Sequence, residues 1–586
     1  METYYTDEKN VQIVIALLKS YNIRKVIVSP GTTNITFVAS IQQDSFFEMF
    51  SSADERSAAY IACGLAAECG EPVVLSCTGA TASRNYIPGL TEAYYRKLPI
   101  VAITACHRSC EIGQNIAQVL DRTRIQKDIA KCSVLIPYVF DNKGEWDCIL
   151  KVNKVLTELT RHGGGPVHIN LESTFSKNYT IKKLPNYRKI SYVNLQNQFP
   201  QLPEGKIVVY CSSHKKWTET ETKVVDDFCS SNNAVVLCDQ TSNYKGQYRV
   251  LSALLFSQEH RSDLTSVDLL IHIGEISGDY YTSIFIKPKE VWRVSEDGEI
   301  RDTFQKLSYV FEMPEEAFFR HYTNKENKSH TLMERYKKEY QRIYESIPEL
   351  PFSNLYIAQN LSLDLPKNSV LHLGILNTLR SWNFFEIDTS ILSYSNVGGF
   401  GIDGDMSSLI GASLANPQKL YFGILGDLAF FYDMNSLGNR NIKPNLRILL
   451  VNNGRGTEFR NYSHDASRFG EDADKFIAAA GHYGNKSHEL VKHYATDLGF
   501  DYVSASNKDE FQRNIHKFIS PQLSEKPIIF ECFTDTQDEN DALWLINHID
   551  AKDASDFFKE ITNKGKKIAK GIIGKENIRI IKEKLG

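Results

Sequence analysis

The sequence predicts an α/β protein made of three doubly wound parallel-sheet domains and a helical C-terminal tail. Short apolar runs of strand length alternate with stretches of helical periodicity along the chain. Glycine, proline and asparagine follow several of these runs, as expected for turns. A chain of 586 residues is also too long for one ordinary domain. Because β-α-β alternation places parallel strands between helices, we expect sheets covered on both faces.

The composition is that of a globular protein and argues against several other classes. Hydrophobic residues make up 42% of the chain and charged residues 24%. The net charge of −4 creates no field that would favour nucleic acid. The 11 cysteines form no CxxC pair, so we expect free thiols. No secretory signal and no apolar run of transmembrane length is apparent, and we therefore expect a cytoplasmic protein.

The first predicted domain covers residues 1–180. It opens with a helix, and four later apolar runs predict strands. The helix spans residues 10–21, and the strands span residues 26–28, 72–77, 100–105 and 167–171. The polar residues 107–118 predict a surface loop.

A second α/β domain, residues 190–345, is predicted after a linker at residues 174–205. Its strands are residues 206–211, 234–238, 269–274 and 290–294, and a charged helix at 332–344 leads onward. The third domain, residues 351–550, begins with a strand at 369–374 and ends with one at 528–532. The second domain has no convincing glycine-rich dinucleotide fingerprint, which argues against a flavin-bound enzyme.

The tail, residues 551–586, differs in charge from the rest of the chain. It holds ten Lys or Arg against five Asp or Glu, and its isoleucines follow a rough helical stripe. A solvated helix that packs on a neighbour is one interpretation. A helix that binds a membrane surface or a partner is the other.

One stretch of the third domain predicts a metal-diphosphate site. A strand at residues 420–425 ends in Gly426-Asp427, and a strand at 446–451 ends in Asn452-Asn453. Mg²⁺ prefers oxygen ligands, which Asp427, Asn453 and a nearby carbonyl could supply. Gly426 and the following helix start offer N–H groups to a phosphate. The alternative is an ordinary β-α-β unit with polar strand ends.

The first domain has a candidate acid at a strand-to-helix junction. Glu55 precedes the small and apolar residues of a close-packed helix. The functional interpretation is a proton partner. The structural alternative is an acid that favours a helix N-terminus through the dipole.

The motifs of both domains resemble one family. The segments SPGTTN, ADERSAAYIACGLA and CTGATASRNYIPGLTEAYYRKLPIVAITA are similar to the pyrimidine-binding domain of thiamine-diphosphate (ThDP) enzymes. YSNVGGFGIDG and the GD…NN spacing resemble their diphosphate-binding domain. Within this decarboxylase and carboligase superfamily, the chain closely resembles the menaquinone-pathway 2-succinyl-5-enolpyruvyl-6-hydroxy-3-cyclohexene-1-carboxylate synthases.

The resemblance implies ThDP and Mg²⁺ as cofactors. Asp427, Asn453 and the carbonyl of Arg455 would bind the metal, although the family commonly has glycine at position 455. Glu55 would hydrogen-bond the aminopyrimidine, and Ile402 would prop the cofactor in its bent form. The further cofactor contacts implied by the motifs are Pro30, Gly31, Thr78, Gly426 and Leu428.

The substrate residues depart from those of the synthases. Thr32 and Thr33 stand where the synthases have Ser-Arg, and Val397 stands where they have Arg, so two cationic contacts are missing. Arg380 matches an arginine that binds a substrate carboxylate, and Gln118 matches a glutamine of the acetolactate synthases. Arg108, Arg455 and His464 are further candidates for anionic groups.

We therefore expect an enzyme that decarboxylates a 2-oxo acid and transfers the acyl carbanion to an acceptor. A simple decarboxylase that releases an aldehyde is the alternative, and a non-catalytic ThDP-fold binding protein is another. The resemblance also implies a homodimer or homotetramer. Each active site would then combine Glu55 of one subunit with Asp427 of another.

Overall fold

The computed structural model describes residues 4–122, 125–258, 263–324, 329–482 and 486–549. These residues divide into two compact units. Unit 1 comprises the described residues of Met1–Phe199 and Glu296–Met313, and unit 2 comprises those of Pro200–Ser295 and from Pro314 onward. The predicted class, α/β with three doubly wound parallel sheets, is confirmed. The predicted tail lies outside the described residues.

Unit 1 contains a six-stranded parallel sheet in the order β2-β1-β3-β4-β6-β5. Its strands are β1 (Lys25–Val28), β2 (Glu48–Ser51), β3 (Val73–Cys77), β4 (Ile100–Cys106), β5 (Cys132–Ile136) and β6 (Val167–Glu172). Its helices are α1 (Lys9–Ser20), α2 (Ile35–Ile41), α3 (Glu55–Cys69), α4 (Ala80–Asn85), α5 (Ile87–Arg96) and α6 (Asn142–Thr157). The buried β3, whose five residues are all inaccessible, lies near the middle of the sheet.

Unit 1 also contains a parallel pair of strands, β7 (Ser191–Val193) and β13 (Leu307–Glu312). Strand β7 lies inside the predicted linker at residues 174–205, so that part of the linker prediction was wrong. Three residues with little burial give no strand periodicity in the sequence. The units also cut across the predicted domain ranges, because Glu296–Met313 belongs to unit 1. The domain boundaries therefore stay a prediction.

Close packing fixes the position of α3 in unit 1. The side chain of Asp54 caps the helix by accepting the Ser57 N–H at 2.9 Å. Gly70 ends it in a left-handed conformation, at φ 68°. Ala59 of α3 packs directly on Gly89 of α5, where a β-carbon on residue 89 would overlap. The small residues of the sequence thus serve helix-to-helix contact.

Unit 2 contains the strand series β10-β9-β8-β11-β12 and a six-stranded sheet in the order β15-β14-β16-β17-β19-β18. The first series consists of β8 (Ile207–Cys211), β9 (Val235–Cys238), β10 (Arg249–Leu251), β11 (Ser266–Ile273) and β12 (Lys287–Ser295). The other sheet consists of β14 (Val370–Leu373), β15 (Leu392–Tyr394), β16 (Tyr421–Gly426), β17 (Leu446–Asn452), β18 (Asp501–Ala505) and β19 (Ile528–Phe533). The neighbouring strands within each set pair in parallel.

The helices of unit 2 lie between these strands in the sequence. They are α7 (Glu219–Asn232), α8 (Ala253–Phe256), α9 (Thr282–Phe285), α10 (Glu315–His321), α11 (Thr331–Glu345), α12 (Asn354–Leu361), α13 (Asn377–Trp382), α14 (Asp405–Leu414), α15 (Asp427–Asp433), α16 (Asp472–Phe476), α17 (Leu490–Asp497), α18 (Lys508–Phe518) and α19 (Thr536–Asn547). None of the described helices has the length and apolarity needed to cross a bilayer.

Candidate active site

Two loops leave the same edge of the first sheet in unit 1. One follows β1 and carries Pro30 and Gly31, and the other follows β3 and begins at Thr78. The strands are parallel neighbours, with Val28 opposite Ser76, so the loops meet at their carboxyl ends. A β-carbon added to Gly31 would lie 2.5 Å from the β-carbon of Thr78. The close approach of the loops therefore requires glycine.

Hydroxyl groups tie these two loops together. Thr33 Oγ1 lies 2.6 Å from Thr78 Oγ1, and the Gly79 N–H donates to Thr33 Oγ1 at 2.9 Å. The Thr33 N–H donates to Thr78 Oγ1 at 3.2 Å. Thr33 is buried, whereas Thr32 is exposed. Two of the predicted substrate residues lie in the loop after β1. Thr33 joins this loop to its neighbour, and Thr32 faces solvent.

Glu55 is the first residue of α3 and is half-buried. Asn85 Nδ2 donates to Glu55 Oε2 at 3.5 Å, the outer limit of a hydrogen bond. This long contact leaves most of the accepting capacity of the carboxylate unused. The capped helix start therefore presents an acid that a ligand of unit 1 can engage.

Gln118 and Arg108 lie in the loop that follows β4. Gln118 has a positive φ of 68° and borders a small cavity with Cys106 and His107. Arg108 is exposed, and its guanidinium lies 5.2 Å from the ring centroid of Phe140. Of the two predicted substrate residues in this loop, Gln118 thus lines a cavity and Arg108 rests on an aromatic ring.

The predicted metal ligands of unit 2 lie at the tips of neighbouring parallel strands, β16 and β17. Asp427 is only 5% exposed, and its Oδ1 accepts the Leu428 N–H at 2.8 Å. Burial raises the pKa of the Asp427 carboxyl to about 7, although N–H groups of Leu428, Gly454 and Arg455 act to lower it. The carboxyl therefore lies against the loop that follows β17.

Asn453 brings an unused acceptor to the same tip. Its Oδ1 is buried and has no hydrogen-bond partner among the described residues. Asn452 points elsewhere, because its Nδ2 donates to Glu531 Oε1 at 2.7 Å. A buried carboxylate beside an orphaned amide oxygen fits a cation that takes oxygen ligands. No group of three or more His, Cys, Asp or Glu in the described ranges forms another metal-binding cluster.

Arg455 keeps its side chain occupied. Its Nη1 donates to Asp474 Oδ2 at 2.7 Å, and Arg460 Nη1 donates to Asp474 Oδ1 at 2.6 Å. The Gly456 N–H donates to the Ala478 carbonyl at 2.6 Å and closes the loop. The guanidinium of Arg455 is thus paired within the loop, while its backbone carbonyl remains a candidate ligand.

The segment before α14 carries the predicted cofactor prop, Ile402, which is half-buried. Phe400 adopts a positive φ of 56°, so the backbone turns sharply just before it. Asp405 opens α14, and burial together with the charges of Asp433 and Asp403 raises its pKa to about 7. Ile402 therefore lies between a turn and a fixed helix start.

Arg380 is buried in α13 and is already paired. Its Nη1 donates to Glu458 Oε2 at 2.6 Å, and its Nη2 donates to Glu458 Oε1 at 2.8 Å. Burial disfavours the charge, but the hydrogen bond and the charge of Glu458 raise the pKa of Arg380. The guanidinium also lies 4.6 Å from the ring centroid of Tyr280. Sequence reasoning missed Glu458, because nothing in the sequence indicates a partner 78 residues away from Arg380.

Sequence reasoning also missed Glu539 in α19. Burial raises the pKa of its carboxyl to about 7, and the charge of Asp427 adds to this effect. Both Glu539 oxygens accept the Asn354 N–H, at 3.0 and 3.1 Å. An acid in the polar first turn of a helix is typical of a solvent-facing residue, so the sequence carries no signal of its burial.

Comparisons with known proteins identify relatives of this chain. Residues 9–125 match the family described as thiamine pyrophosphate enzyme, N-terminal TPP binding domain. The chain is 31% identical to the 2-succinyl-5-enolpyruvyl-6-hydroxy-3-cyclohexene-1-carboxylate synthase of Bacteroides thetaiotaomicron, over 90% of this chain and 96% of the relative. The enzymes of the same name from Phocaeicola vulgatus and Flavobacterium johnsoniae are 29% and 27% identical, over 92% and 94% of this chain and 98% of each relative.

Similarity at this level over nearly the whole length shows the family. The protein is a ThDP-dependent enzyme of the carboligase or 2-oxo acid decarboxylase type, and it belongs to the family of the 2-succinyl-5-enolpyruvyl-6-hydroxy-3-cyclohexene-1-carboxylate synthases.

Proposed function

We propose that this enzyme decarboxylates a 2-oxo acid and transfers the resulting acyl carbanion to an acceptor, with formation of a C–C bond. The observation that carries the proposal is the buried Asp427 carboxyl beside the orphaned Asn453 oxygen, in a chain of this family. When bound, ThDP supplies the carbanion-stabilising chemistry. The chain supplies binding, orientation and proton control.

Mg²⁺ is the cation that we assign to the tip of unit 2. Asp427, Asn453 Oδ1 and the carbonyl of Arg455 would hold it, with diphosphate oxygens and water as the remaining ligands. Gly426 and Leu428, at the start of α15, are the proposed phosphate contacts, and the Leu428 N–H would have to be shared with Asp427 Oδ1, to which it donates. Pro30, Gly31 and Thr78 are the proposed contacts of the cofactor in unit 1.

Glu55 is the proposed proton partner of the aminopyrimidine. Its weak contact with Asn85 supports this role, because the carboxylate has accepting capacity left for a ring nitrogen. Ile402 is the proposed apolar prop, which would hold the cofactor with its reacting groups close together.

The relatives are named for a product that carries a succinyl group and a cyclohexene carboxylate. We infer a related reaction with different substrates. Thr33 and Val397 stand where the sequence comparison leads us to expect two cationic contacts, and Thr32 stands in place of a serine. Gln118, Arg108 and Arg380 remain proposed substrate residues.

The reaction type can be tested with the ThDP- and Mg²⁺-loaded enzyme and a panel of 2-oxo acids. Carbon dioxide release is measured with and without candidate acceptors, and products are identified by mass spectrometry. Carboligation predicts a new product that contains donor and acceptor carbons. Equal aldehyde release with every acceptor would favour the simple decarboxylase instead. Cofactor binding without turnover of any donor would favour the non-catalytic alternative.

Assembly as a homodimer or homotetramer is a further part of the proposal, with each site shared between two subunits. Co-expression of Glu55→Gln with Asp427→Asn tests it. Half of randomly mixed dimers would contain both chains, and one of their two sites would be intact, so about a quarter of wild-type activity should return. If Glu55 and Asp427 of each site came from the same chain, co-expression would restore no activity. Size measurements of each variant check that both still associate. The cytoplasmic location also stays a prediction.

A further inference from the structure

Leu376 of unit 2 has a backbone conformation that leucine rarely adopts. Its φ is 65° and its ψ is −125°. These angles match the first central residue of a type II′ turn, where glycine is favoured because it has no β-carbon. A bulky residue at such a positive φ is an outlier, and the conformation is destabilising by itself. The surrounding structure therefore holds Leu376 against its local preference.

The same residue is also a poor start for a helix. Leu376 is the N-cap of α13, and its side chain makes no capping hydrogen bond. Serine, threonine, aspartate and asparagine are the favoured N-caps, because their oxygens accept a free N–H of the first turn, and leucine ranks far below them. Two local rules are thus broken at one position. Natural proteins break such rules mainly at functional or strained sites.

The loop that contains Leu376 runs alongside the proposed metal tip. It follows β14, which is the parallel neighbour of β16. The Gly374 N–H donates to the Ile424 carbonyl at 2.8 Å and ties the start of the loop to β16. Because β16 leads directly into Asp427, the two loops leave the sheet side by side. Ligands of open α/β sheets bind at this edge.

A buried acid fixes the other side of this loop. Asp405 Oδ2 accepts the Ile375 N–H at 3.3 Å, and a β-carbon on Gly374 would lie 3.3 Å from the same oxygen. Asp405 is only 4% exposed, and it opens α14 three residues after Ile402. The residue before Leu376 is therefore tied to the segment that carries the proposed cofactor prop.

Leu376 also begins the helix that carries Arg380. The Arg380 N–H donates to the Leu376 carbonyl at 2.9 Å. The buried Asn354 holds the same helix, because its Nδ2 donates to Thr378 Oγ1 at 3.1 Å. One strained residue thus connects the metal tip, the prop segment and the helix of a proposed substrate residue.

We propose that Leu376 is a positioning residue, whose strained backbone fixes the loop after β14 in the conformation that binds Mg²⁺-ThDP. The inference rests on the proposed function, because ThDP is the cofactor of that reaction. Leucine has few backbone conformations, so a loop that its surroundings force into this one does not relax into others. Glycine would relieve the strain but would give the loop many conformations, which binding would then have to order. The chain thus loses stability and gains a preorganised site.

The stability of the cofactor-free full chain tests the strain. At an ordinary position, glycine is less stable than alanine, because glycine gives the unfolded chain more freedom. At residue 376 this order should be reversed, with Leu376→Gly melting about 1–2 °C above Leu376→Ala. Both variants lose the leucine side chain beyond the β-carbon, so their difference reports the backbone. An alanine variant that melts at or above the glycine variant would overturn the proposal.

Lys492, an exposed residue within α17, supplies the matched control in the same unit. Lys492→Gly should melt below Lys492→Ala, as is usual within a helix. The same order at residues 376 and 492 would show that Leu376 is not strained. If Leu376→Gly failed to fold, alone or together with Leu376→Ala, the loop would depend on the leucine side chain and not on its backbone, which would also contradict the proposal.

Calorimetric titration with ThDP in the presence of Mg²⁺ tests the positioning. Leu376→Gly should bind the cofactor about tenfold more weakly than Leu376→Ala, since its loop has to be ordered on binding. Higher stability together with weaker binding is a result that a merely structural role would not give. Equal dissociation constants of the two variants would overturn the proposal. Absence of ThDP binding to wild type would instead reject the proposed function and, with it, this role of Leu376.

Discussion

The two parts of the candidate site are built on opposite principles. In unit 1, neutral hydroxyl groups of Thr33 and Thr78 satisfy each other, and Glu55 stays half-buried with one long contact. In unit 2, Asp427 is buried without a counter-charge, and Asn453 Oδ1 has no partner among the described residues. The loops of unit 1 are therefore held together by hydrogen bonds within the chain, whereas the tip of unit 2 gains a counter-charge only from a bound cation.

The largest expected effect comes from removing the charge of the tip. Asp427→Asn should abolish stabilisation by Mg²⁺ and ThDP, because no other carboxylate of the tip can replace it. At a hundredfold excess over the dissociation constant, wild type should gain about 2.7 kcal/mol of stability and the variant none. Thermal-shift titration measures this difference. Asp472→Asn, at an exposed acid, is the matched control. If Asp427→Asn showed the same thermal shift with Mg²⁺ and ThDP as wild type, the tip of unit 2 would not depend on a cation and would not differ from unit 1 in this respect.

Glu55→Gln tests the proposed proton partner in unit 1. We expect turnover to fall about 10²- to 10⁴-fold, since a positioned proton partner contributes that much, while cofactor affinity stays the same. Steady-state kinetics and a ThDP titration measure the two quantities. Glu68→Gln, exposed on the same helix, should behave as wild type. Full activity of Glu55→Gln would exclude this acid from the mechanism.

The pH dependence of metal binding should distinguish the units as well. Burial raises the pKa of Asp427 to about 7, so its carboxyl is mostly protonated at pH 6 and mostly ionised at pH 8. A cation needs the ionised form. Mg²⁺ affinity in the presence of ThDP should therefore be about tenfold weaker at pH 6 than at pH 8. Isothermal titration with Mg²⁺ at pH 6 and at pH 8 tests this. Equal affinities would show that protonation of Asp427 does not control metal binding.

Thr33→Val should weaken unit 1 without touching the metal. The change leaves the Gly79 N–H and the Thr78 hydroxyl without their partner, which costs about 1–3 kcal/mol. The midpoint of urea denaturation measures the loss. Thr32→Val, at the exposed neighbour, should change stability by less than about 0.5 kcal/mol. Equal effects of the two variants would mean that the hydroxyl contacts do not hold the loops.

Arg455→Ala should have the smallest effect. The variant loses a partly exposed ion pair with Asp474, worth less than about 1 kcal/mol, and keeps the backbone carbonyl. Mg²⁺ affinity should stay within a few-fold of wild type by calorimetry. A loss as large as that of Asp427→Asn would show that the side chain, and not the carbonyl, serves the site.

The sequence predicted the central strands better than the edge strands. Continuous apolar runs revealed β3, β16 and β17, which have neighbours on both sides. Strands β5 and β18 lie at sheet edges, and four of the five residues in each are only partly buried. Such strands need fewer apolar residues, so their sequences resemble loops. The short edge strand β15 was not predicted for the same reason.

The candidate site shows a similar division. Residues at strand tips, such as Asp427 and Asn453, could be predicted because their place follows from the strand pattern. Glu458 and Glu539 could not, since their burial depends on contacts with Arg380 and Asn354 from distant segments. Site residues whose positions follow from the local strand pattern could therefore be predicted from the sequence. Site residues whose burial depends on contacts with distant segments could not.

Three buried acids of unit 2 bear on how long the protein survives in a cell. Asp405, Asp427 and Glu539 each have a pKa raised by burial to about 7. The folded chain holds protons that an unfolded chain releases near pH 4, so the free energy of unfolding without cofactor declines between about pH 4 and 7. At neutral pH, a chain without ThDP or magnesium has therefore lost most of the stability that these three protonated acids provide at lower pH. We expect proteases to clear it faster than the loaded enzyme, so that thiamine supply sets abundance as well as activity.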